Sequence, residues 1–477
     1  MDAAAAAAAR TTQAANVLSA SAAGRRIMNH PAAIAPPSTW PPARPNMLVL
    51  YARSNRNSAL SLARCSLKPN ADTDEVTEKI STFDPHSSSK SHEQPKPTSV
   101  EPYSSSSSTD SSSFSAGLVF DLGPADCWDG AEVGSPVVKR FIGDEEERWY
   151  MWYHGRSGEN PGLDSIGLAV SSNGIHWERG GGHARSSVHV GSVMNCSKDW
   201  WAFDTHSIRP SEVVVMSSTK VRATSAIYWL YYTGYSSEEV TFLKKSDSDF
   251  PLGNPVRICH GNFKSLPGLA IGQDGRNWAR IDGLHYSGAL LELGAEGKWD
   301  STFIASPNVV VHGDGDLRMY YHSFDLQNGQ FAIGVARSRD GIRWVKLGKI
   351  MGGGQSGDFD ELGVMNARVV RSRKDGNYVM AYEGVATGGK RSIGLAESSD
   401  GLKDWRRVED GGEVLKAVGE DGWDGGGVGS PCLVQIEGEW RLYYRGVGIN
   451  GGRTGIGMAV SEGSNLRRFR RWTGFRL

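Results

Sequence analysis

Cysteine is scarce and unpaired: Cys65, Cys127, Cys196, Cys259 and Cys432 are five among 477 residues, and no two stand in C-x-x-C spacing. The odd number and the missing spacing argue against a disulfide framework and a structural zinc site, and suit a reducing compartment. No run of about 18 apolar residues lacks charge, so no membrane span is expected. Neither sign of charge dominates, with Lys+Arg 52 against Asp+Glu 53 and a formal net charge of -1. The whole-chain field therefore gives no reason to expect nucleic acid as a partner. The stretch Arg467, Arg468, Arg470, Arg471 is local and reads as the solvated edge of a last strand.

Acidic residues are absent from the first 71 positions except for Asp2, while Arg10, Arg25, Arg26, Arg44, Arg53, Arg56 and Arg64 punctuate an Ala-rich sequence. That is transit-peptide composition. Chloroplast and mitochondrial presequences share it; the length, the early Ala run and the Ser-rich sequel favour the chloroplast stroma over the mitochondrion. Residues 72–116 are Ser, Pro, Lys and Glu with scarcely any large apolar side chain, including Ser104–Ser108 and Ser111–Ser113. Such a segment cannot bury enough surface to fold and reads as a disordered linker. Residues 117–477 remain for one folded domain.

That domain is built from a repeated unit. First strands read SPVVKRF from Ser135, RPSEVVV from Arg209, SPNVVV from Ser306, NARVVRS from Asn366 and SPCLVQI from Ser430. Second strands read WYMWYHG from Trp149, YWLYYTG from Tyr228, LRMYYHS from Leu317, YVMAYEG from Tyr378 and WRLYYRG from Trp440. Their β-branched and aromatic content favours strands, with alternation expected to bury one set of side chains between neighbouring sheets. Third strands carry Gly167, Gly268, Gly334, Gly394 and Gly457, each two residues before an Ala, where small side chains would let adjacent sheets approach. Five such units predict an all-β, five-bladed β-propeller.

Two further elements recur. Asn173-Gly174-x-x-Trp177, Asp274-Gly275-x-x-Trp278, Asp340-Gly341-x-x-Trp344 and the longer Asp400-Gly401 to Trp405 fall between third and fourth strands. Asn-Gly and Asp-Gly are turn pairs, and the motif resembles the structural Asp-box of sialidases. Before each first strand stands an aromatic-Asp pair: Trp128-Asp129, Phe203-Asp204, Trp299-Asp300, Phe359-Asp360 and Trp423-Asp424. Five near-equivalent carboxylates read as loop caps accepting backbone N–H bonds. The alternative is that one or two line the mouth and do chemistry.

Scaffold demands are the same in every blade, so divergence at equivalent positions marks a ligand surface. The loops entering first strands and those leaving second strands rim one funnel. There the residues stop repeating: His154-Gly-Arg156, Thr233-Gly-Tyr235, His322 to Asp325, Glu383-Gly and Arg445-Gly, with His206 and Arg209 in blade II and Asn366 and Arg368 in blade IV. Two insertions, Gly181–Ala202 and Val240–Leu266, fall on the same face, and Trp200 and Trp201 could offer a flat plate to a sugar or cover the blade.

The combination of Ser/Asp-Pro-x-Val-Val, Tyr-Tyr-x-Gly, Gly-x-Ala and Asp-Gly-x-x-Trp resembles the propeller superfamily of arabinanases, β-xylosidases, invertases and levansucrases, with its mannoside phosphorylase relatives. The resemblance covers about residues 117–477. It implies glycosidic chemistry by two carboxyl groups flanking the bond, with a third nearby. In the arabinanase branch these stand at the start of innermost strands, where this chain reads Ser135-Pro136, Ser306-Pro307 and Asn366-Ala367. Serine cannot replace an ionised base and Asn cannot donate a catalytic proton.

If catalysis survives, Glu383 is the remaining acid, Asp129 the base and Asp300 an electrostatic helper. The ligand-binding candidates are His154, Arg156, His206, Arg209, His322, Asp325, Arg368 and Arg445, whose guanidinium and imidazole groups suit a phosphorylated sugar. The histidines lack the paired spacing of a metal site, and no cofactor is expected. The leading expectation is a funnel that binds a carbohydrate or phosphosugar. An active glycosidase or phosphorylase with relocated carboxylates, and a scaffold for protein partners, remain open alternatives.

Overall fold

The computed structural model describes residues 116–474, apart from 143–146, 161, 181–186, 217–226, 241–262, 314, 373–374, 409–411, 420–421, 450–451 and 464. The expected transit peptide and almost all of the linker lie outside the described residues. The strands form five antiparallel sheets in a ring, each ordered from the axis outwards. Innermost strands are Glu132–Ile142, Ser207–Val215, Ala305–Gly313, Val364–Arg371 and Gly427–Ile436 in blades I to V. The ring closes in blade V, where Leu118–Phe120 pairs with the third strand, Thr454–Glu462, alongside Asn465–Arg471.

In the second strands both alternating sets of side chains are buried, not one. Tyr150 and Trp152 pack toward Tyr228 and Tyr232 of blade II, while Trp149, Met151 and Tyr153 join Tyr443 and Met458 of blade V. Each blade is sandwiched between two others, so neither face meets water. The aromatic Y-Y signature follows from that geometry.

The aromatic-Asp pair, the Tyr-Tyr run and the Gly-x-Ala motif are one structural unit. Trp128 lies tilted against Tyr153 with ring centroids 5.4 Å apart, and Phe203–Tyr232, Trp299–Tyr321, Phe359–Tyr382 and Trp423–Tyr444 stack in the same pairing at 5.8, 5.5, 6.0 and 5.9 Å. The third-strand glycine makes room for that ring: a Cβ on Gly167 would stand 2.3 Å from Trp128 Cη2, and one on Gly334 2.3 Å from Trp299 Cζ2. The glycines thus admit a loop aromatic onto its own sheet, where closer approach of neighbouring sheets was expected.

The Asp of each pair is buried and accepts the same Tyr hydroxyl together with a cation from the fourth strand. Asp129 Oδ2 accepts Tyr153 Oη at 2.9 Å and Arg179 Nε at 2.7 Å; Asp300 Oδ2 accepts Tyr321 Oη at 3.1 Å and Lys346 Nζ at 2.6 Å. Asp204, Asp360 and Asp424 do likewise with Arg280, Arg407 and Arg471. These triads clamp second strand to fourth.

The Asp-box turns join blade to blade. Asp340 Oδ1 accepts the N–H groups of Ile342 and Arg343 at 2.9 and 2.8 Å, closing its turn, and Gly341 O accepts Tyr231 Oη of the preceding blade at 3.2 Å. Trp344 meets the same Tyr231 edge-on at 6.1 Å. Equivalent bonds run from Trp152 to Gly275 O, Tyr320 to Gly401 O and Tyr443 to Gly174 O.

Candidate functional site

Every innermost strand carries a bulge where two residues oppose one Tyr of the second strand: Ser135-Pro136, Pro210-Ser211, Ser306-Pro307, Asn366-Ala367 and Ser430-Pro431. Four bulges hold a non-glycine residue in the left-handed region, with φ of 48° at Ser135, 53° at Ser306, 51° at Asn366 and 47° at Ser430. That conformation costs about 1 kcal/mol or more per residue. Blade II escapes it, because Pro210 occupies the place and its ring fixes φ near -65°.

The bulge corrects the alignment of blade II. Counted from the buried Asp to the residue below the bulge, the steps 129 to 137, 204 to 212, 300 to 308, 360 to 368 and 424 to 432 are all of equal length. Arg209 therefore corresponds to Gly134, not to Ser135. It faces Thr233 across the ladder, just as Gly134 faces His154.

Above the bulges, His154, Thr233, His322, Glu383 and Arg445 take the same ladder position in blades I to V. Two of these pairings, His154 with Gly134 and Arg445 with Gly429, set the side chain against bare backbone. A Cβ on Gly134 would stand 2.4 Å from Arg445 Cδ and 2.7 Å from His154 Cε1.

Two groups form around this ring. In the first, Glu132 receives Arg445 Nη2 and Arg156 Nη1 at 2.8 Å each, His154 Nε2 at 3.3 Å and Arg209 Nη2 at 3.6 Å. Asp164 receives Arg156 Nε at 2.8 Å and Arg209 Nε at 2.7 Å. In the second, Glu383 Oε1 receives Arg391 Nη1 at 2.9 Å, while Oε2 accepts Asn366 Nδ2 at 2.7 Å and the Ser430 N–H at 2.8 Å. Ser306 Oγ bonds Asn366 Oδ1 at 2.6 Å, and the Asn366 N–H reaches His322 Nδ1 at 3.3 Å.

Burial alone would raise the Glu132 carboxyl, but Arg445, His154 and Arg209 outweigh it and hold the group far below the usual carboxylate range. The same contest at Glu383 is won by Arg391, Asn366, Ser430 N–H and Arg445, again downwards. Burial pushes His154 down to about 3, helped by Arg209, and His322 down to about 4, helped by Arg391. Both imidazoles are neutral at pH 7. Four guanidinium groups (Arg156, Arg209, Arg391, Arg445) then face three carboxylates (Glu132, Asp164, Glu383), leaving one positive charge in excess.

The structure thus brings together His154, Arg156, Arg209, His322, Glu383 and Arg445. His206 stands beside them against the Phe263 ring, 4.2 Å between centroids. Four candidates lie elsewhere. Asp129 and Asp300 are buried and consumed in the Tyr–Asp–cation triads, with no backbone N–H cap among the described residues. Asp325 closes its own hairpin through the N–H groups of Gln327 and Asn328 and pairs with Lys349 at 2.9 Å. Arg368 sits below the bulge, on the far side of the axial constriction, 3.2 Å from Glu212. Trp200 is 90% exposed, so covering the blade is not its role. Sequence reasoning missed Glu132, Asp164 and Arg391, which lie at strand starts just outside the aligned motifs.

No family model matches the chain. Two uncharacterized proteins of Mycobacterium tuberculosis are 33% identical over 209 residues, 42% of this chain. The chain spans 62% of the length of these curated relatives. Among solved structures, the BT0996 RGII complex is similar with a TM-score of 0.51 at 16% identity, covering 75% of this protein and 93% of that one. A glycoside hydrolase is similar with a TM-score of 0.50 at 15% identity, covering 74% and 93%. At such identities the likeness is one of fold. The protein has the five-bladed propeller of glycoside-hydrolase-like proteins.

Proposed function

We propose that this is a plastid protein whose funnel binds a carbohydrate bearing a phosphate group without hydrolysing it. The observation that carries the reading is the state of the funnel carboxylates: Glu132, Asp164 and Glu383 are all held by arginines, and the surrounding charge is positive. A glycosidase needs one carboxyl kept protonated as the acid. Glu383 and Glu132 are held below the ordinary range instead, so neither donates a proton at neutral pH. Ser135, Ser306 and Asn366 stand where the resembled enzymes place carboxylates, so the usual groups are replaced.

The arginine forks favour phosphate oxygens. Arg156, Arg209, Arg391 and Arg445 keep 19, 10, 18 and 13% of their side chains open, enough to present N–H groups while their carboxylate partners fix them in place. Transit-peptide composition supports the plastid. A fluorescent fusion of the full-length chain that enters mitochondria would remove that part of the reading.

Calorimetry on the full-length protein with hexose phosphates and their unphosphorylated parents tests the binding. The phosphorylated sugars should bind and Arg156→Met should abolish it, with no release from aryl glycosides. Turnover lost in Glu383→Gln would establish the opposing reading, an enzyme with relocated carboxylates.

A further inference from the structure

The axis has a second mouth. Below the bulges lies a cavity of about 340 Å³ to which all five innermost strands contribute, mostly through Val side chains such as Val214, Val310 and Val370. Between it and the funnel lies the bulge ring, whose free space of about 30 Å³ is less than a sugar occupies.

At its base sits an unbalanced charge cluster. Glu212 is shared by two cations, Lys139 Nζ at 2.6 Å and Arg368 Nη1 at 3.2 Å, and also accepts Asn308 Nδ2 at 2.5 Å. Arg368 is 5% exposed, and its Nη2 reaches Cys432 Sγ at 3.5 Å. Arg371 lines the same cavity, so the lining carries Lys139, Arg368 and Arg371 against Glu212 alone. Arg368 is buried, Lys139 keeps 33% of its side chain open and Arg371 is exposed, so the surplus positive charge lines the wall toward the mouth, where an anionic head group would meet it.

We infer that this cavity is a second ligand site, for a small organic monoanion with an apolar body. Its head group meets Lys139 and Arg368, and its hydrocarbon part lies along the valine walls. A volume of 340 Å³ is at the small end for ligand pockets. The valine walls offer little to hydroxyl groups, so this ligand differs in class from the funnel's sugar.

Calorimetry on the full-length protein with hexanoate, hexan-1-ol and hexylamine tests it without any variant. Hexanoate should bind about tenfold or more tighter than hexan-1-ol, and hexylamine weakest. Lys139→Met should weaken hexanoate by about tenfold and leave hexan-1-ol unchanged. Val310→Trp, checked for folding by circular dichroism, should block hexanoate and spare hexose phosphate binding in the funnel. Hexanoate binding no better than hexan-1-ol, or unaltered by Lys139→Met, overturns the inference. Neither result bears on the funnel, whose ligand is followed separately.

Discussion

The carboxylate of Glu383 lies against the backbone of Gly429 in the next blade, so close that a Cβ there would stand 2.3 Å from Oε2. It cannot step aside freely, because Arg391, Asn366 and the Ser430 N–H hold both of its oxygens. Gly429→Ala should therefore break a buried charged network, costing about 2–3 kcal/mol in urea unfolding. Hexose phosphate affinity should fall with it. A loss under about 0.5 kcal/mol would mean the carboxylate relaxes without its partners.

The buried Asp residues should behave oppositely toward ligand. Asp129→Asn leaves Arg179 facing a neutral amide in a half-buried triad, and Asp360→Asn does the same to Arg407. Each should cost about 3 kcal/mol of stability. Ligand affinity, measured by calorimetry below the melting transition, should stay within about twofold of wild type, because these carboxylates are fully buried in their triads and share no partner with the funnel groups.

Acid should destabilise the ring through its histidines. The folded-state values of His154 and His322, about 3 and about 4, lie below the ordinary unfolded value of about 6.5. Between those limits the unfolded chain binds protons that the native one does not, so stability rises with pH through that window. From pH 7 to pH 5 each histidine should remove about 2 kcal/mol. His322→Asn keeps an acceptor for the Asn366 N–H and removes one of the two titrations, so it should roughly halve the fall in urea midpoint between these pH values, His154 supplying the rest. Glu383, held low, loses its contribution only below the ordinary carboxylate range and does not confound the comparison.

Repetition made the blades legible in the chain, because each motif answers a packing demand posed five times. The funnel was legible where divergence replaced repetition, at His154, His322, Glu383 and Arg445. Glu132, Asp164 and Arg391 escaped because they lie on strand ends, where no motif fixes an alignment against which divergence shows. Arg209 was placed one position late because Pro210 mimics the bulge prolines while filling the left-handed site. Asp129 and Asp300 drew attention as carboxylates near the mouth; their partners, a Tyr and a fourth-strand cation, are distant in sequence.

One irregularity in the ring supports its own test. The second-strand residue that bonds the next Asp-box turn is Trp152, Tyr231, Tyr320 or Tyr443, whereas blade IV has Ala381 at that position, and blade V is the blade without an Asn/Asp-Gly turn followed by Trp. Among the described residues that junction has neither the aromatic donor nor an Asn/Asp-Gly turn to receive it. Tyr231→Phe and Tyr320→Phe should each cost about 1–2 kcal/mol, leaving Gly341 O and Gly401 O without that donor. Asp340→Ala opens the turn that presents Gly341 O, so the double variant with Tyr231→Phe should lose less than the sum of the two. Ala381→Tyr should gain no bond and lose about 1–3 kcal/mol by overpacking against Leu433 and Leu442 of blade V. Full additivity of Asp340→Ala and Tyr231→Phe would show that the turn and the neighbouring blade are energetically independent, and that the paired absence at blades IV and V is accidental.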